Sequence, residues 1–336
     1  MKKTKVLTGV TTTGTPHLGN YIGAIKPAIE QSRRDDIQSY YFMADYHALV
    51  KGSDPKRIHQ SGLENAATWL ALGLDTDRAT FYRQSDVPEI MELNWILACM
   101  TAKGLMNRAH AYKAAVQANE DKNEQDPDKA VTMGLFSYPI LMAADILAFN
   151  AHKVPVGQDQ IQHIEMARDI ASRMNHHYNT QFTLPEALIE KNSTILNGLD
   201  GRKMSKSYGN TIPLFCSEKN LLKLIKKIKT NSLQPGEPKI SDSCTLFQIF
   251  SAFATSSEIA GKRNQYEAGA GWGELKNQLF DHVNSYLAEA RKNYIALLND
   301  PSFIEAELIK GAEKARAEAG NLLSNIRKAI GIYSFV

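Results

Sequence analysis

The stretch that most constrains this chain runs from Thr8 to Ala24. A short apolar run, Val6-Leu7, leads into Thr8-Gly9 and a threonine-rich turn at Thr11, Thr12 and Thr13, and then a helix opens. Thr15 has the side chain of an N-cap, and Pro16 suits the first helical position, where its missing N–H costs nothing. Leu18, Ile22, Ile25 and Ile29 then recur at helical spacing. Gly19 and Gly23 sit one turn apart, and each costs a helix roughly 1 kcal/mol relative to alanine. Close approach is the expected compensation: Gly19 clears space for a ligand, and Gly23 packs the helix on a sheet. The free N–H groups at such a helix start also make an anion site. The segment reads as a strand–turn–helix that holds a nucleotide.

The first half of the chain repeats that grammar. Gln38 to Ala44 reads as a strand ending at Asp45, and Pro55 to Leu72 as a helix capped by Asp54 and closed by Gly73. Ala79 to Arg83 is a third strand, and Pro88 starts a helix to Met100. Asn119 to Asp128 is polar and charged and reads as a mobile loop. Val131 to Phe149 is a long apolar helix. His152 to Val156 is a fourth strand ending at Gly157, where Asp159 with Gln162 forms a capping-box pattern. Short strands alternating with helices imply βαβ units in a parallel sheet, whose ligands bind at the carboxyl ends of the strands, where Gly9, Asp45 and Gly157 lie. After about residue 208 strand signals fade and helical periods continue to the end. The expected organisation is an α/β, Rossmann-like catalytic unit over 1–207, an all-helical unit over 208–300, and C-terminal helices over 301–336 whose placement the sequence leaves open, a return to the first unit being one option.

The start, Met1-Lys2-Lys3, precedes an apolar run too short for a secretory signal, and no stretch approaches the ~18 apolar residues of a membrane span. Cytoplasmic location is the expectation. Three scattered cysteines, Cys99, Cys216 and Cys244, form no CxxC and read as reduced thiols rather than metal ligands.

Asp200-Gly201-Arg202-Lys203-Met204-Ser205-Lys206-Ser207 places two lysines and two serines in one loop. Alone it reads as a solvated basic loop or as a lid whose ammonium groups neutralise phosphate charge. On the long apolar helix, Tyr138, Met142, Asp145 and Phe149 share one face. A carboxylate there is costly unless paired, which leaves a hidden Arg or Lys, or a ligand donor, as its partner. Lys219, Lys223, Lys226, Lys227 and Lys229 oppose an apolar stripe of Leu221, Leu222, Leu224, Ile225 and Ile228, an amphipathic pattern that also suits RNA phosphates. Gly269 to Gly273 follows no strand and reads as a turn between helices, not a dinucleotide loop.

Taken together, His17-Leu18-Gly19-Asn20 resembles the HIGH signature, and Lys203-Met204-Ser205-Lys206-Ser207 matches the KMSKS signature, of class I aminoacyl-tRNA synthetases. Asn20 in the fourth position is familiar in the tryptophanyl branch. Gly19 to Ala24, Leu141 to Leu147 and Val154 to Gln160 also resemble bacterial tryptophanyl-tRNA synthetases, across essentially the whole chain. Many relatives carry Gln-Pro-Ser where this chain has Thr11-Thr12-Thr13.

The resemblance implies ATP-dependent activation of L-tryptophan and its transfer to tRNA(Trp), in a homodimer, with Mg2+ carried by ATP and no dedicated metal site. By the same resemblance His17, Lys203 and Lys206 are catalytic. Thr11, Thr12, Thr13, Gly19, Asn20, Gly157, Gln158, Asp159, Ile195, Met204, Ser205 and Ser207 join the two lysines around ATP, although Ile195 reads equally as core. Asp145, with Met142 and His47, would bind tryptophan. The helical unit would read the anticodon. Tyrosyl activation on the same scaffold, a silent RNA-binding relative and a small-molecule nucleotidyltransferase are the competing readings.

Overall fold

The structure, a computed structural model, describes residues 3–12, 14–50, 52, 54–189 and 195–335. Thr13 lies outside the described residues, as does the side chain of Thr11. Five parallel strands form one sheet in the order β3-β2-β1-β4-β5. They are β1 (Thr4–Thr11), β2 (Ile37–Ala44), β3 (Thr80–Arg83), β4 (Lys153–Pro155) and β5 (Glu186–Leu188). β2 follows the alternation of a strand buried on both faces. Tyr40, Phe42 and Ala44 enter one core with helices Pro88–Met100, Met133–Leu147 and Ile161–Tyr178. Tyr41 and Met43 enter the other, against the helical run from Leu18 and helix Pro55–Ala71. The sheet order reverses direction between β1 and β4, which opens a crevice at their carboxyl ends.

β5 carries no signal in the sequence, because Glu-Ala-Leu is three residues long and has no β-branched side chain. Three local expectations are corrected. Thr15 does not cap the first helix: its hydroxyl donates to Glu64 Oε2 at 2.6 Å, and the helix begins at Leu18 with His17 as N-cap. Asp159 does not cap the helix after β4, which begins at Ile161 behind a 3-10 turn at Gln158–Gln160. Its supposed partner Gln162 instead accepts from His110 N and donates to Arg108 O. Gly23 does not pack on the sheet, since a Cβ there would meet open space. It lies in a π-helical turn, Tyr21–Ile25, that interrupts the helix.

The polar segment Asn119 to Asp128 is a hydrogen-bonded turn instead of a free loop. Asn119 Nδ2 donates to Pro127 O and Lys129 O, each at 2.9 Å, and Tyr112 Oη donates to Asp128 Oδ1 at 2.8 Å.

Beyond residue 208 the named elements are all helical: Glu218–Lys227, Thr245–Phe253, Ser256–Glu267, Trp272–Asn299 and Pro301–Ala329. The apolar core runs on without a break, so that Leu18, Ile22 and Tyr41 share a buried cluster with Leu246, Phe250, Leu279 and Val283. The last helix returns to the sheet and covers β3, protecting an edge strand. Gly311 permits this contact: a Cβ there would stand 1.7 Å from the Phe81 carbonyl oxygen. Among the described residues no helix is long and apolar enough to cross a membrane.

Two glycines of this helix therefore respond oppositely to alanine. Gly311→Ala forces the helix off β3 and costs about 1–3 kcal/mol. Gly320→Ala, which meets open space, gains up to about 1 kcal/mol of helix propensity. Urea midpoints of the two variants check the pair, and equal shifts would contradict it.

Candidate active site

Asp145 sits on helix Met133–Leu147, where the sequence places it, and is 1% exposed. Its partner is neither Arg nor Lys. His47 Nε2 lies 2.8 Å from Oδ2, and Gln84 Nε2 donates to Oδ1 at 2.7 Å. Burial pushes the carboxyl above the ordinary carboxylate range, against the pull of His47 and then Gln84. An ionised carboxylate accepts about four hydrogen bonds, so two acceptor positions remain after these partners.

Asp145 lies at the wall of a cavity of about 470 Å³ in the β1/β4 crevice, with Gly9, His47, Tyr138, Met142 and Gly157 around it. Gly9 makes room for the Phe42 ring, which also lines the cavity: a Cβ there would stand 2.7 Å from it. One wall is a hydrogen-bonded chain. Gln160 Nε2 donates to Asp159 Oδ2 at 2.9 Å, Gln160 Oε1 is 2.8 Å from His163 Nδ1, and His163 Nε2 is 2.8 Å from Tyr138 Oη. Oε1 only accepts, so His163 carries its proton on Nδ1 and receives the Tyr138 hydroxyl on Nε2. Burial, then the neighbouring His110, lowers the His163 pKa and favours this neutral form.

The second half of the site lies where the lysine loop meets the first helix. The His17 N–H donates to Asn20 Oδ1 at 3.1 Å, and Asn20 N donates to His17 Nδ1 at 3.3 Å. His17 and Asn20 thus form a capping box, which gives asparagine a local reason to occupy the fourth motif position. A Cβ on Gly19 would stand 3.1 Å from the His17 ring and 3.5 Å from Met204 Cβ. Met204 is buried, and its N–H donates to Leu196 O at 2.8 Å. Asn210 holds the loop from inside, accepting from Ser205 N at 2.8 Å and donating to Asp200 Oδ1 at 2.7 Å and Lys203 O at 3.1 Å. Ser205 and Ser207 join hydroxyls at 2.9 Å.

Both lysines are exposed over much of their side chains; Lys206 reaches Gly14, where its Nζ is 3.3 Å from a Cβ position, whereas the Lys203 backbone stands opposite Asn197 in a β-bridge. Burial, and secondly the Lys206 charge, press His17 down to about 4. The Lys206 pKa is itself lowered by burial and by Arg57.

The structure therefore groups Asp145, His47, Met142 and Gly157 on one side, and His17, Gly19, Asn20, Met204 and Lys206 on the other. Ile195 is 60% exposed and is no core residue. Thr12 stands apart, lining a different cavity with Asp45, His59 and Arg83. Gln158 and Asp159 occupy the 3-10 turn, and Gln160 is the one that lines the Asp145 cavity. Sequence reasoning missed Gln84, Arg57, Asn210 and Gln160. Only Gln84, a polar residue at the carboxyl end of β3, had a readable signal.

A family model described as "tRNA synthetases class I (W and Y)" matches residues 1–288. The chain is 60% identical over 332 residues to a tryptophan–tRNA ligase of Neisseria meningitidis, covering 99% of each. It is 59% identical over 334 residues to the Pseudomonas aeruginosa ligase, covering 98% of this chain and 74% of that one. A crystal structure of tryptophanyl-tRNA synthetase from Campylobacter jejuni, complexed with ADP and tryptophan, superposes with a TM-score of 0.89 at 43% identity, over 97% of this chain and 99% of that one. With the HLGN helix start, the lysine loop and the sheet that carries them, these matches show that the chain belongs to the class I aminoacyl-tRNA synthetases, in the branch of the bacterial tryptophan–tRNA ligases.

Proposed function

We infer that the chain is a tryptophan–tRNA ligase whose two half-sites act together. The carboxylate of tryptophan attacks the α-phosphorus of ATP, with Mg2+ carried on the phosphates, and the bond to the β-phosphate breaks to release pyrophosphate. A ribose hydroxyl of the terminal adenosine of tRNA(Trp) then takes the aminoacyl group and AMP leaves. The substrate supplies the first nucleophile, so the protein's work is positioning and charge stabilisation. The runner-up, tyrosyl activation, meets the same acceptor, because a phenol also has a donor.

The observation that carries the reading is Asp145, a buried carboxylate with unused acceptor positions in the β1/β4 crevice. The indole N–H is the one polar atom of the tryptophan side chain, and Asp145 receives it. His47 and Gln84 hold the carboxylate in place, and Met142 covers the ring. A site built this way rejects phenylalanine by leaving Asp145 short of a donor. Gly157, at the edge of the Asp145 cavity, and Gln158, Asp159 and Ile195 border the nucleotide, Gly19 gives it room, and Met204, Ser205 and Ser207 shape the loop above it, with Thr11, Thr12 and Thr13 assigned to the nucleotide by the resemblance. Lys203 and Lys206 neutralise the departing pyrophosphate. His17 accepts Asn20 N–H on Nδ1, so its proton sits on Nε2 as a neutral donor to the phosphates or ribose.

The units 1–207, 208–300 and 301–336 divide the labour into catalysis, anticodon reading and support of the sheet. Lys219, Lys223, Lys226, Lys227 and Lys229 are exposed beside buried Leu221, Ile225 and Ile228, an arrangement suited to tRNA phosphates. A homodimer has a surface available: Met91, Trp95 and Cys99 lie exposed four residues apart on helix Pro88–Met100. The working compartment is the cytoplasm.

Exchange of pyrophosphate into ATP tests the assignment. Tryptophan drives it, and exchange with tyrosine alone would overturn the substrate. Asp145→Asn raises the KM for tryptophan about 10- to 100-fold, the worth of a hydrogen bond to a charged group, and leaves the KM for ATP in place. Lys206→Ala abolishes adenylate formation while tryptophan still binds. With His17 titrating at about 4, the imidazole is neutral from pH 6 to 8. The ratio of parental to His17→Gln exchange rates is therefore flat over that range, whereas a ratio rising toward pH 6 would make the imidazolium the working form.

A further inference from the structure

Arg57 belongs to neither signature motif, yet it meets the lysine loop. It stands in the first turn of helix Pro55–Ala71, where its N–H donates to the N-cap Asp54. Its Nη2 lies 3.2 Å from the position a Gly14 Cβ would take, and Lys206 Nζ lies 3.3 Å from the same point. Two cations from distant parts of the chain thus converge on one small volume. Gly14 leaves that volume open and must be glycine, because its φ is +117°. Asn65 fixes the turn from behind, donating to Gly14 O at 3.2 Å and Ser61 O at 2.7 Å.

The charge at this point is unbalanced. Among the described residues the one carboxylate paired with Arg57 is Glu64, at 4.0 Å, too long for a charge-assisted hydrogen bond. Both Glu64 oxygens are already engaged, Oε2 by the Thr15 hydroxyl at 2.6 Å and Oε1 by Gln60 Nε2 at 3.1 Å. Among the described residues, the hydrogen bond that Arg57 Nη2 makes is a long one, 3.5 Å to Thr15 Oγ1. Like charges held together beside one distant, occupied carboxylate await an anion, and a guanidinium fork beside an ammonium matches phosphate oxygens.

We propose that Arg57 is a phosphate-binding residue that grips, together with Lys206, the terminal phosphates of ATP, which leave as pyrophosphate. The inference rests on Lys206 being a phosphate ligand. Arg57 enters from a helix of the sheet unit and Lys206 from the loop, so the polyphosphate bridges them and relieves their mutual repulsion. Loop docking is then coupled to the presence of the β- and γ-phosphates, and AMP does not engage the pair.

The test compares Arg57→Ala, Arg57→Lys and Lys206→Ala in the full chain. Arg57→Ala raises the KM for ATP and for pyrophosphate in tryptophan-dependent exchange by about 10- to 100-fold. The dissociation constants of AMP and tryptophan stay unchanged, and Arg57→Lys recovers part of the loss. Three results overturn the proposal. In the first, Arg57→Ala leaves ATP and pyrophosphate unaffected while Lys206→Ala impairs them. In the second, AMP and tryptophan binding fall in step, which marks a structural role. In the third, exchange is intact and only tRNA charging falls, which assigns the cations to RNA phosphates. If Lys206→Ala also leaves ATP and pyrophosphate unaffected, the phosphate reading of the loop itself fails.

Discussion

The site depends on one close approach, that of the segment around the lysine loop to the start of the first helix. Leu18 N donates to Ile212 O and Leu214 N to Pro16 O, each at 3.0 Å, with His17 opposite Pro213. This backbone pairing joins segments nearly two hundred residues apart. It works because Gly19 presents no side chain, so Met204 and the His17 ring both fit against the helix start. A larger residue at Gly19 would move the ring that caps the helix or lift the loop. The buried Met204 then acts as the apolar fastener of a loop that is otherwise polar, and Lys206 is carried to Gly14.

The two half-sites are built on different physics. Around Asp145 the walls are largely apolar, and His47 and Gln84 hold the buried carboxylate through hydrogen bonds. There burial raises the carboxyl pKa, and His47 and Gln84 oppose that rise. Around Lys206 burial lowers the ammonium pKa first, neighbouring Arg57 adds to that, and Glu64 opposes it. A rigid pocket suits selection of an amino acid, and a charge-tuned loop suits a leaving group whose charge grows. The loop is also tied to the helical part, since Lys229 N donates to Leu199 O at 3.0 Å just past the lysine-bearing helix. A backbone bond therefore runs from the basic surface to the base of the lysine loop.

Much of the fold was legible because its strands are strongly patterned. Tyr40 to Ala44 is apolar on both faces, as a central parallel strand must be, and helix Pro55–Ala71 announces itself with Asp54 and Pro55. β5 was illegible, because three residues without β-branching look like any loop. Thr15 was misread for a related reason: threonine before proline is a good local cap, but the tertiary neighbour Glu64 offered a better partner. The Asp159–Gln162 pattern failed likewise, once Gln162 found the backbone at Arg108 and His110.

The sequence by itself determined the parallel α/β scheme, the two signature motifs and the costly carboxylate on an apolar helix face. Each of these follows from period, propensity or motif, which are local. Only the tertiary structure decided what each polar group meets: His47 and Gln84 at Asp145, Asn20 at His17, Arg57 beside Lys206, and Gly311 against the Phe81 carbonyl. Those partners lie tens to hundreds of residues apart, except for Asn20, and no local period encodes them. They are chosen by the need to satisfy buried polar groups within a particular packing.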